Sequence, residues 1–210
     1  MRPWFPLLLL SLLAACDKDD TGADYGILEG DLEFEDGETA SVATHQAFGY
    51  DAGGVALLYF ASNEAATCAD VTDFLSDDSG DPSAIFSAGH CNLFAQIQDW
   101  DGSEVTHTSD PMSVTWALNC TLGTGSWNWE ERGDDDGYYW SGRFWQGSPQ
   151  SWTITASGGG GSPFVTTVDM NDYEGDYIYE FIDAGADGLV HGTTQAQWCE
   201  TFSETAFFGS

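Results

Sequence analysis

The chain has 210 residues, with 35 Asp and Glu against 4 Lys and Arg, a formal charge of −31. That balance excludes a nucleic-acid partner, because phosphate binding needs clustered basic side chains, and it excludes docking on anionic lipid through a basic patch. Hydrophobic residues make up 42% and aromatic residues 14%, too rich for an acidic disordered chain and sufficient for one core of ordinary domain size.

The first fifteen residues read as an address. Arg2 supplies an early positive charge, Leu7 to Leu13 form an apolar run broken only by Ser11, and small residues follow. That is the grammar of a secretory signal, too short for a membrane span of about 20 apolar residues. The closing Leu13-Ala14-Ala15-Cys16 resembles the lipobox of bacterial lipoproteins, in which cleavage precedes a cysteine that receives a diacylglycerol and an N-acyl chain. The resemblance implies that Cys16 is lipidated and that the protein sits on a membrane of the Gram-negative cell envelope through its acyl chains, two or more of which anchor stably. Loss of Arg2 leaves three basic residues and a charge of −32. Residues 16–24, rich in Asp, read as a tether. Asp17 resembles an inner-membrane retention signal under enterobacterial sorting rules, which other lineages do not all follow. The outer membrane is the favoured destination, with its periplasmic or surface face left open.

From residue 25 to 210 the chain is expected to form one β-rich extracytoplasmic domain. Leu28, Gly30, Leu32 and Phe34 alternate with Glu29, Asp31, Glu33 and Glu35, which gives a strand one apolar and one acidic face. Strand-like runs follow at 41–48 and 55–61. Thr67-Cys68-Ala69-Asp70 then has the form of a capping box, and Cys68, Val71 and Leu75 share one helical face, so 63–75 is predicted as a short helix covering one end of the sheet. More strands are predicted at 91–99, 112–120, 126–132, 138–145, 152–156, 164–170, 177–182 and 189–199. Turn signals such as Asp51 to Gly54, Gly158 to Gly161 and Asp187-Gly188 separate them. About 9–11 short strands with one helix define an antiparallel β-sandwich or barrel.

Four cysteines remain after Cys16, and an exported chain makes disulfides the default. Pairing 91–99 with 112–120 as a hairpin centred between Val105 and Thr106 sets Leu93 opposite Leu118, Ala95 opposite Trp116, Ile97 opposite Val114 and Cys91 opposite Cys120. The apolar residues then share one face, and a one-residue slip would scramble it. Cys91–Cys120 is therefore expected, leaving Cys68–Cys199 to tie the helix to the last strand. An extra strand at Glu104 to His107 would spoil the hairpin. A zinc site is the rival reading, without CxxC or HxxxH spacing to support it.

Two stretches, Val55-Ala56-Leu57-Leu58-Tyr59-Phe60 running on to Thr67-Cys68-Ala69-Asp70, and Gly188-Leu189-Val190-His191-Gly192-Thr193-Thr194-Gln195-Ala196-Gln197-Trp198-Cys199, together resemble a loose group of uncharacterised small lipoproteins from Gram-negative bacteria. Such proteins often end in a G-x-F-x-A-x-x-C strand, and Thr194 departs from the expected aromatic. The resemblance implies a β-rich fold, a disulfide from helix to C-terminal strand, and no particular activity.

Signals for catalysis are sparse. His45, His90, His107 and His191 have no recognised spacing to a serine nucleophile, no GxSxG elbow occurs, and a catalytic carboxylate pair cannot be picked out from 35 acids. No enzyme is expected. The unusual segment is Ser126 to Trp152, with Trp127, Trp129, Tyr138, Tyr139, Trp140, Phe144, Trp145 and Trp152 around Gly133 to Gly137. Centred on Asp135, a hairpin sets Trp127 opposite Arg143, Trp129 opposite Ser141 and Arg132 opposite Tyr138, with cation–π contacts in reach. Rings on both faces cannot all be buried unless each side is covered. Trp127, Trp129, Tyr139 and Trp140 are thus candidate glycan-stacking residues, although an aromatic hairpin packed on its own sheet is the preferred reading. Asp134, Asp135 and Asp136 are weak Ca²⁺ candidates, as is Asp183 to Gly188, but neither has the EF-hand spacing. No cofactor is expected otherwise. The sequence reading ends on a non-enzymatic, lipid-anchored envelope protein with an interaction or structural role, whose partner is an envelope protein or a glycan. Its acidic strand faces suit a medium in which salt weakens self-repulsion.

Overall fold

Alternation and turn chemistry translate into fourteen strands and one α-helix among the described residues. The computed structural model describes residues 27–76, 80–132 and 135–200, with the side chains of 129–136 outside the description; the expected signal peptide and the whole tether, Cys16 included, also lie outside it. The strands are β1 (Leu28–Phe34), β2 (Thr39–Thr44), β3 (Gln46–Asp51), β4 (Val55–Ala61), then, after helix α1 (Cys68–Ser76), β5 (Cys91–Gln98), β6 (Val105–Thr108) and β7 (Val114–Leu122). They continue as β8 (Trp127–Arg132), β9 (Asp135–Trp140), β10 (Arg143–Gly159), β11 (Ser162–Tyr177), β12 (Ile182–Asp183), β13 (Ala186–Asp187) and β14 (Val190–Trp198).

Pairings β3–β4–β5–β7–β10–β11–β14 return to β3 and so close a ring of seven strands. Closure decides between the two expected architectures in favour of a barrel, which leaves those strands without a free edge where they pair. The last seam is parallel and short, Gln197 with Phe48 and Trp198 with Gly49, so the sheet is mixed where an antiparallel one was expected. The β1–β2 hairpin hangs on β14 and packs β2 against β5 and β7.

The two longest strands, β10 and β11, run together from Trp145 opposite Tyr177 to Gly159 opposite Ser162. The other edge of β10 is shared: residues 143–147 pair with β7 and 153–156 with β6. Pro149, which has no N–H to donate, falls in the gap between those two partners.

The β5–β7 hairpin has the expected register, from Cys91 opposite Cys120 through Leu93–Leu118 and Ala95–Trp116 to Ile97–Val114. Both disulfides, Cys91–Cys120 and Cys68–Cys199, are present. The extra strand that threatened this hairpin does form, as β6, but it pairs with β10 and leaves the hairpin intact.

Two apolar clusters follow from the strand faces. Leu58, Leu93, Ile97, Leu118, Trp145 and Val168 point inside the ring, with Leu28, Leu32 and Phe34 of β1 joining them. The opposite faces of β3, β4 and β5 present Phe48, Tyr59 and Phe94, which α1 covers through Val71, Phe74 and Leu75. The helix therefore lies on a face of the sheet and not at its end. Its start is the expected capping box: the Thr67 amide donates to Asp70 Oδ2 (2.8 Å) and the Asp70 amide donates to Thr67 Oγ1 (3.3 Å). Buried on both faces, β4 reads as a continuous apolar run from Val55 to Ala61.

Candidate functional site

The aromatic hairpin is real but its register differs from the expected one. Strands β8 and β9 form a separate two-stranded sheet in which Trp127 faces Trp140, Trp129 faces Tyr138 and Arg132 faces Asp135. Asp135 thus pairs with Arg132 and is not the centre of the hairpin, and Arg143 belongs to β10. Trp127 packs at 5.0 Å from Trp140 and 5.8 Å from Phe86, with Phe144 edge-on at 6.3 Å. Trp140 is buried against the glycine backbone at 125 and 142. Trp127 thus joins the cluster under α1 and Trp140 packs on it, instead of the two standing out as a platform. Tyr139 is 38% exposed on the other face, and the Trp129 side chain lies outside the description.

Arg143 is the one basic side chain among those described, and it organises one end of the barrel. Its Nε and Nη2 donate to the two carboxylate oxygens of Glu180 (2.9 and 2.8 Å), while Nη1 donates to Asp36 Oδ2. The guanidinium lies 3.7 Å over the Tyr177 ring, and the Tyr177 hydroxyl donates to Asp36 Oδ1 (3.0 Å). Of the two arginines expected among aromatic rings, Arg143 makes its cation–π contact with Tyr177, and the Arg132 side chain lies outside the description. Arg143 holds the carboxyls of both Asp36 and Glu180 below the usual range. Three segments meet here: the β1–β2 turn, the start of β10 and the turn after β11.

Beside this clamp the acidic strand faces converge. Glu33, Glu35, Asp172, Glu174 and Asp187 line an open concavity of about 450 Å³. It adjoins a second opening that Asp176 and Asp183 border. A hydrogen bond shared with Asp183 raises the Asp176 carboxyl above its ordinary value, as two carboxyls in contact must. Asp183 and Asp187, one of the weak Ca²⁺ candidates, are split between β12 and β13, opposite Asp176 and Glu33 respectively. Of the other candidate, Asp134 lies outside the described residues, and the side chains of Asp135 and Asp136 do too. Among the described residues no group of three or more His, Cys, Asp or Glu is arranged to hold a metal.

The histidines are dispersed. His45 is exposed between β2 and β3, and His191 is exposed on β14 opposite Asp169. His90 is half-buried beside the Cys91–Cys120 bridge; burial, and then the nearby His45, lower its pKa. His107 on β6 has a buried Nε2.

Two features escaped the sequence reading. The Arg143 clamp joins residues 107 positions apart, and no local pattern encodes it. The stretch predicted as a strand at 177–182 is instead the end of β11, a turn and the start of β12; the turn exposes Tyr179 (62%) and Phe181 (90%), and β12 opens on the exposed Ile182 (52%). The alternation of Tyr177, Tyr179 and Phe181 was the available signal, and it reads equally well as a buried strand face. No helix among the described residues is long and apolar enough to cross a membrane. No protein-family model, curated protein or solved structure matches the chain.

Proposed function

We propose that this chain is a lipid-anchored protein of the Gram-negative cell envelope, whose β-barrel domain has a binding or structural role and not a catalytic one. The observation that carries the reading is the pair of disulfides in a domain that follows a lipobox-like Leu13-Ala14-Ala15-Cys16. Disulfides persist in oxidising compartments, and the lipobox supplies a way to stay at a membrane without a span. The outer membrane is its favoured site. Replacing Cys16 tests this directly: wild type is expected in the membrane fraction carrying fatty acid, and Cys16→Ser in the soluble envelope fraction. Membrane retention of Cys16→Ser would sink the anchor.

A second reading, glycan binding at the β8–β9 hairpin with or without Ca²⁺, draws on the exposed ring of Tyr139. A glycan array probed with the folded protein, with and without Ca²⁺, tests it. Binding lost in Tyr139→Ala would move this reading to first place.

A further inference from the structure

The turn after β11 is built in an unusual way. Tyr179, Phe181 and Ile182 are 62%, 90% and 52% exposed within four residues, and Phe181 holds a left-handed φ of +53°. A bulky residue rarely adopts that conformation without a compensating contact. The turn is nevertheless firmly held. The Glu180 and Phe181 amides both donate to the Tyr177 carbonyl (3.2 and 2.9 Å), and the Ile178 amide donates to the Phe144 carbonyl (2.9 Å). Arg143 grips Glu180 with two hydrogen bonds and reaches Asp36 with a third. The clamp thus places a cation against the two carboxylates at the base of the apolar tip, which lowers the cost of bringing that base to a nonpolar surface.

We infer that residues 179–182 form a lipid-contacting tip, which dips into the bilayer that holds the acyl chains of Cys16. The inference rests on the lipid-anchor reading. Chain reach supports the choice of occupant. From Cys16 to Ile27 an extended chain spans at most ~40 Å. Strand β1 runs from Leu28 toward the turn whose Asp36 contacts Arg143, a distance of roughly 20 Å. The tether is therefore long enough for the anchor to lie level with the tip. With a charge of −32 once Arg2 is removed, the receiving leaflet is zwitterionic, because anionic headgroups would repel the surface around the tip.

The test uses full-length lipidated protein on phosphatidylcholine–phosphatidylethanolamine vesicles. A polarity-sensitive dye is attached at Phe181→Cys or, as a control on the exposed strand β6, at Thr106→Cys. The expected result is a blue shift at 181, with a roughly twofold or greater loss of emission when acyl chains carry a nitroxide quencher, and neither change at 106. On the native sequence, chymotrypsin is expected to cut after Phe181 in Cys16→Ser protein but not in vesicle-bound wild type. A vesicle-bound protein whose position 181 still reports water overturns the tip and leaves the anchor standing. Wild type that does not bind vesicles overturns both. A blue shift in Cys16→Ser without lipid that grows with protein concentration assigns the tip to contacts between copies, and so overturns the lipid assignment.

Discussion

Trp145 shows how one side chain fixes the packing of several strands. It is fully buried, its indole Nε1 donates to the Ala184 carbonyl (2.8 Å), and its edge meets the Phe34 ring at 5.2 Å. Glycines stand where larger residues would collide with it: a Cβ at Gly147 or Gly175 would come within 2.4 or 2.6 Å of the indole ring. Trp145→Ala removes ring, hydrogen bond and contacts together and is expected to cost about 3–5 kcal/mol. Trp145→Phe keeps most of the volume but deprives the buried Ala184 carbonyl of its donor, an expected cost of about 1–3 kcal/mol. Urea unfolding followed by circular dichroism separates the two variants. A Trp145→Phe protein as stable as wild type would show that the hydrogen bond contributes nothing. At this scale the sequence shows that Trp145 is apolar with a glycine two positions on, but its partners 39 and 111 residues away come only from the fold.

The two disulfides brace elements of different kinds. Cys91–Cys120 links strands already paired along seven register positions, whereas Cys68–Cys199 ties α1 to the residue after β14. On chain entropy alone, loss of the first is worth about 3.5 kcal/mol and loss of the second about 5 kcal/mol. Their local effects are expected to differ more than these totals. In Cys68→Ser/Cys199→Ser, amide exchange in α1 should rise well before global unfolding, because the helix then depends on the outer cluster of Val71, Phe74 and Leu75. In Cys91→Ser/Cys120→Ser the β5–β7 amides should stay protected up to global unfolding. Equal exchange of α1 in both variants would contradict this division. The same contrast explains which elements could be read in advance. The β5–β7 register was legible because only one alignment sets Cys91, Leu93, Ala95 and Ile97 opposite Cys120, Leu118, Trp116 and Val114 on a single face. Strand β9 carries aromatic residues at both parities, Tyr138, Tyr139 and Trp140, so alternation does not choose among its alignments with β8, and the expected centre was accordingly misplaced. In β10 the interruption Gly147-Ser148-Pro149-Gln150 looked like a boundary, but one long strand passes through it because β11 pairs across the gap. The parallel seam between β14 and β3 joins residues about 150 positions apart, beyond any local pattern. Site residues were legible where chemistry is covalent, at the cysteines, and illegible where the site is an assembly, as at Arg143.

Charge acts on the whole molecule, and here opposing titrations make its effect testable. A charge of −31 distributed over strand faces and turns repels itself at neutral pH, and salt weakens that repulsion as the screening length falls from ~30 Å at 0.01 M to ~3 Å at 1 M. Tm at pH 7 is therefore expected to rise across that range of NaCl, and a Tm indifferent to salt would mean that the carboxylates are too well separated to matter. Lowering the pH has two effects of opposite sign. Asp176, raised by its contact with Asp183, favours the folded state below the ordinary carboxylate range, and that contribution is lost as pH rises through its raised value. General repulsion relaxes in the same direction. Asp36 and Glu180 are lowered by Arg143, so their contribution is present above the ordinary carboxylate range and lost as pH falls through their lowered values. Stability should thus climb as pH falls from 7 toward the ordinary carboxylate range and fall again as pH drops below that range toward the lowered values of the clamp carboxyls. Arg143→Gln removes the charge that lowers them. The variant should lose about 2–4 °C in Tm at neutral pH, the scale of an exposed ion-pair network, and should show a shallower fall on the acid side. Because the clamp and the repulsion respond oppositely to acid but both weaken in salt, the test is Tm measured over pH at low and high NaCl in both proteins. An acid limb identical in wild type and variant would place the acid-sensitive carboxyls elsewhere on the barrel.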